Sequence, residues 1–299
     1  MIKKIITMTF ILLLIQPCAH GKDRLKIVTS IGPLAWFIEN IGGNRVDVTT
    51  LIPPGGNPHI YEPTPRQMDV LSKADLYVKV GSGIEFELMW MKRLESLNKK
   101  MPVCDASHGI RLMDMETNDH EADDELREWH KYGHGHHEGK DPHIWLSPVN
   151  AVIIAGNILK SLSEIDPAGT DYFAKNTSKL ISELNDLKQK IDSKLKDIKK
   201  RQFYVFHPAW GYFAKEFDLE QVPIEYSGKE PTPERLEGLI KNARKQNIRA
   251  IFSSPQFSKK SAEVIAREIN GKVLFIDPMA HDYLKNLEYT ADLLKENME

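Results

Sequence analysis

Residues 22–299 read as an α/β protein of two parallel-sheet lobes joined by a single long backbone helix. Three observations support this. Short β-branched runs alternate with stretches of helical period through most of the chain, which implies parallel strands with helices packed on their faces. The alternation breaks for a long helical stretch at about residues 168–200, where there is neither a strand signal nor a proline, and a second break lies at 112–141. After the helical stretch it resumes to the C-terminus.

Lys3 and Lys4 precede an apolar run, Ile5 to Ile15, shorter than the roughly 20 residues of a membrane span. Ala19 and Gly21 sit at the −3 and −1 positions of a cut before Lys22, so residues 1–21 read as a secretory signal peptide. The competing reading is a lipid anchor on Cys18, for which Gln16 and Pro17 are poor small-residue neighbours. Without Cys18 the chain keeps one thiol, Cys104. It can form no internal disulfide and is expected to be a small buried apolar residue.

The first lobe, 22–165, carries the runs "LKIVTS", "VDVTTL" and "DLYVKV"; "PTPRQ" at 63–67 offers Thr64 as N-cap and Pro65 as first helical residue. Residues 112–141 collect Glu116, Asp119, Glu121, Asp123, Asp124, Glu125 and Glu128, then histidines and glycines. Such a composition buries too little apolar surface to order itself, so about 115–138 reads as an acidic, histidine-rich loop. In the linking segment, 166–200, Leu180, Leu184, Leu187, Ile191, Leu195 and Ile198 recur at spacings of three and four and form one helical stripe. The second lobe, 201–299, repeats the pattern with "FYVF", "RAIFSS" and "KVLFID", and "PTPER" starts another helix.

The whole chain has 40 basic and 42 acidic residues; removing Lys3 and Lys4 with the leader leaves 38 against 42, a formal charge of −4. That argues against nucleic acid and anionic membranes as partners.

Eight of the eleven histidines fall into two groups. His120, His130, His134, His136 and His137 lie in the acidic loop. His59, His143 and His207 each stand beside a proline near a strand end or helix start, in "GGNPHIYEPTP", "KDPHIWLSP" and "YVFHPAWGYF". Proline fixes φ and so aims its neighbour. Strand C-termini of open parallel sheets are where α/β proteins hold ligands. Imidazole suits transition metals, and zinc takes four donors. Asp277 in "VLFIDPMAHDY" is the best fourth candidate, and four donors, two from each half, would close a site in the cleft between the lobes. Pro58 precedes His59, leaving no acidic sequence neighbour there. His108 and His281 read as surface residues. Trp145 and Trp210 are expected either to pack or to form a dry wall around the metal.

In order, "NPHIYEPTP", "DPHIWLSP", "HPAWGYFAKEF", "SGKEPTPERL", "SSPQFSKKSAEVIARE" and "FIDP" resemble the metal-binding solute receptors of bacterial zinc and manganese ABC importers, the zinc branch most closely. The resemblance runs from about Arg24 to the C-terminus. It implies an extracytoplasmic, monomeric, non-enzymatic receptor that binds Zn2+ on His59, His143, His207 and Asp277. The receptor would pass the ion to a membrane permease, with no nucleic acid partner and no membrane insertion of the mature chain. Manganese-selective relatives usually place a carboxylate where this chain has His207, so zinc is expected over manganese or a broader divalent range. The acidic loop also resembles the zinc branch, and its five histidines are expected to be weak auxiliary sites. Ser254 departs from the pattern, standing where many zinc-type relatives carry an acid. Two other readings compete. An exported zinc hydrolase lacks an H-E-x-x-H motif and a general base beside the site. A receptor for a chelated metal would call for a wider cleft lined by basic or aromatic side chains.

Overall fold

The computed structural model describes residues 24–115, 139–225, 231–257 and 259–298. The leader, Cys18 and the five loop histidines His120, His130, His134, His136 and His137 lie outside these residues. Four strands form the first sheet: β1 (Leu25–Thr29), β2 (Val46–Thr50), β3 (Leu76–Lys79) and β4 (Val103–Asp105), all parallel, in the order β2-β1-β3-β4. The second sheet repeats this winding with β5 (Gln202–Val205), β6 (Glu220–Pro223), β7 (Ala250–Ser253) and β8 (Lys272–Phe275), ordered β6-β5-β7-β8. In each sheet the first strand has its successor on one side and the third strand on the other. The chain therefore reverses direction there and leaves a crevice at the strand C-termini. β4 and β6 are edge strands that the sequence runs did not flag.

The helices are α1 (Gly32–Gly42), α2 (Pro65–Ser72), α3 (Glu85–Leu97), α4 (Pro148–Ile165), α5 (Thr170–Leu195), α6 (Gly211–Glu216), α7 (Pro233–Lys245), α8 (Lys260–Glu268) and α9 (Tyr283–Asn297). Thr64 caps α2 in a capping box with Gln67, and the Thr232 hydroxyl accepts the Arg235 N–H at the start of α7, as both Thr-Pro motifs predict. The predicted long helix is α5, whose 26 residues make a rod of about 39 Å. Leu180, Leu184, Leu187, Ile191 and Leu195 of the apolar stripe are buried within it, and Ile198, predicted to continue the stripe, is buried just beyond its C-terminus.

α5 packs against α4, α1 and α9. One apolar core runs from Ile27 and Phe37 through Leu184 to Phe203, Phe213 and Leu294, so it belongs to both lobes. Ile224, Leu239, Ile251 and Ile265 form a second, smaller core on the outer side of the second sheet. Between the lobes, Trp36 stacks on Tyr283 at 5.6 Å, and Trp145 Nε1–H donates to the Pro278 carbonyl at 2.7 Å. α1 starts so close to the 277–282 segment that a Cβ on Gly32 would lie 2.9 Å from the Met279 carbonyl oxygen. Cys104 is buried and unpaired, as expected, and burial pushes its thiol pKa up to about 11.

Candidate metal centre

The three proline-flanked histidines meet. His59 lies in the loop between β2 and α2, where its N–H donates to Asn57 Oδ1 at 2.9 Å. His143 stands at the head of the short 3-10 turn Ile144–Leu146 that leads into α4. His207 follows β5, at the crevice of the second sheet. His207 Nε2 is 3.3 Å from His59 Nε2 and 3.4 Å from His143 Nε2. Two nitrogens bound to one tetrahedral zinc at about 2.0–2.1 Å stand roughly 3.3–3.4 Å apart, so the spacing is that of a coordination edge. No three His, Cys, Asp or Glu side chains among the described residues yet encircle one point as ligands do. The rings touch edge to face, with His207 at centroid distances of 4.8 Å from His59 and 5.2 Å from His143.

On the opposite ring edge, each histidine has a carboxylate. Glu85 Oε1 lies 2.9 Å from His59 Nδ1, Asp141 Oδ1 2.8 Å from His143 Nδ1, and Glu225 Oε1 3.1 Å from His207 Nδ1. A carboxylate at Nδ1 keeps the proton on that nitrogen and leaves Nε2 as the donor to metal, while raising the ring's basicity as a ligand. Asp141 Oδ1 also accepts the His143 backbone N–H at 2.9 Å, which fixes both the ring and its turn.

Sequence reading found none of these three carboxylates. Asp141 was nearest to view, two residues before His143 in "KDPHIW". Glu85, brought in by α3, supplies the acidic partner that Pro58 denies His59 in sequence.

Protonation differs around the site. Burial is the dominant influence on His207 and lowers its pKa to about 4, so the ring is neutral at pH 7 and free to bind metal. Burial is also the largest influence on His59, acting downward. The hydrogen bond and charge of Glu85, with a further contribution from Glu225, outweigh it, and the pKa of His59 is raised.

The β3–α3 turn that delivers Glu85 is built on a buried acid. Glu87 accepts the Val80 N–H at 2.7 Å and the Gly81 N–H at 2.9 Å, and also bonds the Ser30 hydroxyl. Gly81 has φ +81, and a Cβ there would sit 1.9 Å from Asp105 Oδ1, so only glycine fits.

Asp277 follows β8, at the end of the second sheet. Its Oδ1 accepts from Gln256 Nε2 at 2.7 Å and from the Met279 N–H at 2.9 Å. Among the described residues none of its hydrogen bonds goes to a histidine. Trp145 packs edge-on to His143 at 5.4 Å, and Trp210 packs edge-on to Phe213. Phe257 stacks on His207 at 4.4 Å and 23°. His108 and His281 are exposed, as expected, and His281 pairs with Glu39. The base of the acidic loop is tied by an Asp114–Lys140 bridge and by Met115 N–H donating to the Gly139 carbonyl at 2.6 Å.

The family described as the periplasmic zinc-uptake complex component A matches residues 27–297. The high-affinity zinc uptake system protein ZnuA of Bacillus subtilis is 33% identical over 285 residues, covering 93% of this chain and 86% of that protein. A crystal structure of ZnuA superposes with a TM-score of 0.85 at 38% identity, covering 93% of this chain and 100% of the other. Zn(II)-bound AdcA from Streptococcus pneumoniae superposes at 0.73 with 27% identity; this chain spans 92% of itself but 58% of that longer protein.

Proposed function

Because this chain belongs to the family of periplasmic zinc-uptake A components, we propose that it captures Zn2+ in the cleft between its lobes and hands the ion to the permease of an ABC importer. The observation that carries this is His207 Nε2 at coordination-edge spacing from both His59 Nε2 and His143 Nε2, with each of the three rings held from behind by a carboxylate.

His59, His143 and His207 are the proposed ligands. The fourth position is given to Asp277, whose carboxylate is already fixed by Gln256 and the Met279 N–H, as a ligating carboxylate needs. Three nitrogens and one oxygen favour zinc over manganese, which prefers all-oxygen sites. Four protein donors leave no open position for a catalytic water, so the protein acts as a receptor rather than a zinc hydrolase. No helix among the described residues is long and apolar enough to cross a membrane. The reading takes the chain as exported and monomeric, released by cleavage after Gly21. From the acidic, histidine-rich composition of 115–138, with little apolar material, its histidines are assigned as weak auxiliary sites.

Calorimetric zinc titration with a competing chelator tests the reading, run on the mature chain from Lys22 and on a 115–138 deletion, with manganese in parallel. One tight zinc site in both proteins and much weaker manganese is the expected result. Loss of the tight site in the deletion, or equal preference for manganese, overturns it.

A further inference from the structure

The loop after β7 carries an apolar ring into the donor cluster. Phe257 stacks nearly parallel on His207, with centroids 4.4 Å apart and planes at 23°, and reaches His59 at 5.8 Å. Phe206 supports it from behind at 6.0 Å. The ring thus covers one donor from each lobe. Of the two, the His59 side chain is the more exposed at 20%, against 7% for His207 and 6% for His143. Phe257 itself is half-buried, with one part toward solvent.

The loop's base is fixed. Phe257 N–H donates to the Ser254 carbonyl at 3.2 Å, and the neighbouring Gln256 amide holds Asp277. A phenyl ring offers no lone pair to a metal, so its effect is to exclude water. A bound ion leaves by exchanging protein donors for water one at a time. A ring over two of the donors slows each such exchange without contributing a bond.

We propose that Phe257 is the lid of the metal centre, a residue that sets how fast zinc enters and leaves rather than how tightly it is held. The inference rests on the three-histidine reading of the site. Removing an aromatic contact of this kind should speed release about three- to tenfold. Because the covered route serves both directions, the association rate should rise with it and the equilibrium affinity should stay within about twofold.

The test is stopped-flow zinc binding and chelator-driven zinc release on the full chain, comparing wild type with Phe257→Ala, Phe257→Tyr and His207→Ala. Faster association and faster release in Phe257→Ala, with wild-type rates in Phe257→Tyr, is the expected result. Unchanged rates in Phe257→Ala overturn the lid. So does faster release with unaltered association, which would make the ring a support for His207. A Phe257→Tyr protein as fast as Phe257→Ala also overturns it, since ring cover would then not be the cause. Tight zinc binding that survives His207→Ala overturns the underlying site reading instead, whatever Phe257 does.

Discussion

Removing Glu225 should weaken zinc binding by about 10- to 100-fold, although Glu225 is not a proposed zinc ligand. Its carboxylate lies 3.1 Å from His207 Nδ1 and is 3% exposed, so a truncated side chain leaves that N–H buried beside a gap that water reaches poorly. The loss has two parts: His207 is free to turn or to change tautomer, and its Nε2 becomes a poorer donor. In free energy this is about 1.4–2.7 kcal/mol. The three carboxylates should not be equal. Asp141, 5% exposed, fixes both the ring and the backbone N–H of His143, so Asp141→Ala should cost at least as much as Glu225→Ala. Glu85 is 42% exposed, so water can take its place at His59 Nδ1, and Glu85→Ala should cost less than about tenfold. Competition titration against a chelator of known zinc affinity ranks the three. A Glu225→Ala protein with wild-type affinity, or Glu85→Ala as the weakest binder of the set, would refute the argument that buried carboxylates orient the donors.

Four further outcomes follow. Alanine at His59, His143 or His207 should reduce zinc affinity by orders of magnitude in the same titration, with the fold retained by circular dichroism. Leu184→Ala, which empties a buried position of the α5 stripe, should lower stability by about 2–5 kcal/mol in denaturant unfolding. Cys104 should react with a thiol reagent at pH 8 only as fast as the protein unfolds, because burial holds the thiol pKa at about 11; prompt labelling of the native protein would contradict this. In the metal-free protein, His207 stays neutral when folded and titrates near 6.5 when unfolded. Its stabilising contribution is therefore full above pH 6.5 and is lost as pH falls toward 4. His59, with its raised pKa, works in the opposite sense, so His207→Gln should flatten the fall in melting temperature below pH 6.5.

The elements legible in the sequence were those whose signal is local. The α5 stripe, the two Thr-Pro caps and six of the strands could be read locally, because burial on one helical face and short β-branched runs each leave a pattern within a few residues. β4 and β6 left none: Val103–Asp105 has three residues ending in a carboxylate, and Glu220–Pro223 carries an acid, an amide and a proline, so neither holds a β-branched run. At the centre, the proline-flanked histidines could be found because proline marks an aimed side chain. Glu85, Glu225 and Phe257 could not, because each reaches its histidine through the folding of distant segments; only Asp141 lay within two residues of its partner. The placement of Asp277 beside Gln256 likewise depends on β7 and β8 pairing, which no local pattern announces.

The division of the apolar interior into one large core and one small one gives the molecule an unequal mechanical character. The large core binds both sheets, α5 and α9 into one body, so the lobes should melt together. The small core, under α7 and α8, is a separate layer with its own contacts, and Phe206 belongs to it. Amide hydrogens of that layer are therefore expected to exchange through a local opening well below the global unfolding energy. Phe206 backs the Phe257 ring, so such an opening would loosen one wall of the donor cluster while His59 and His143 stay anchored in the rigid body. A receptor built this way can surrender its ion by softening a single outer layer, without swinging its lobes apart.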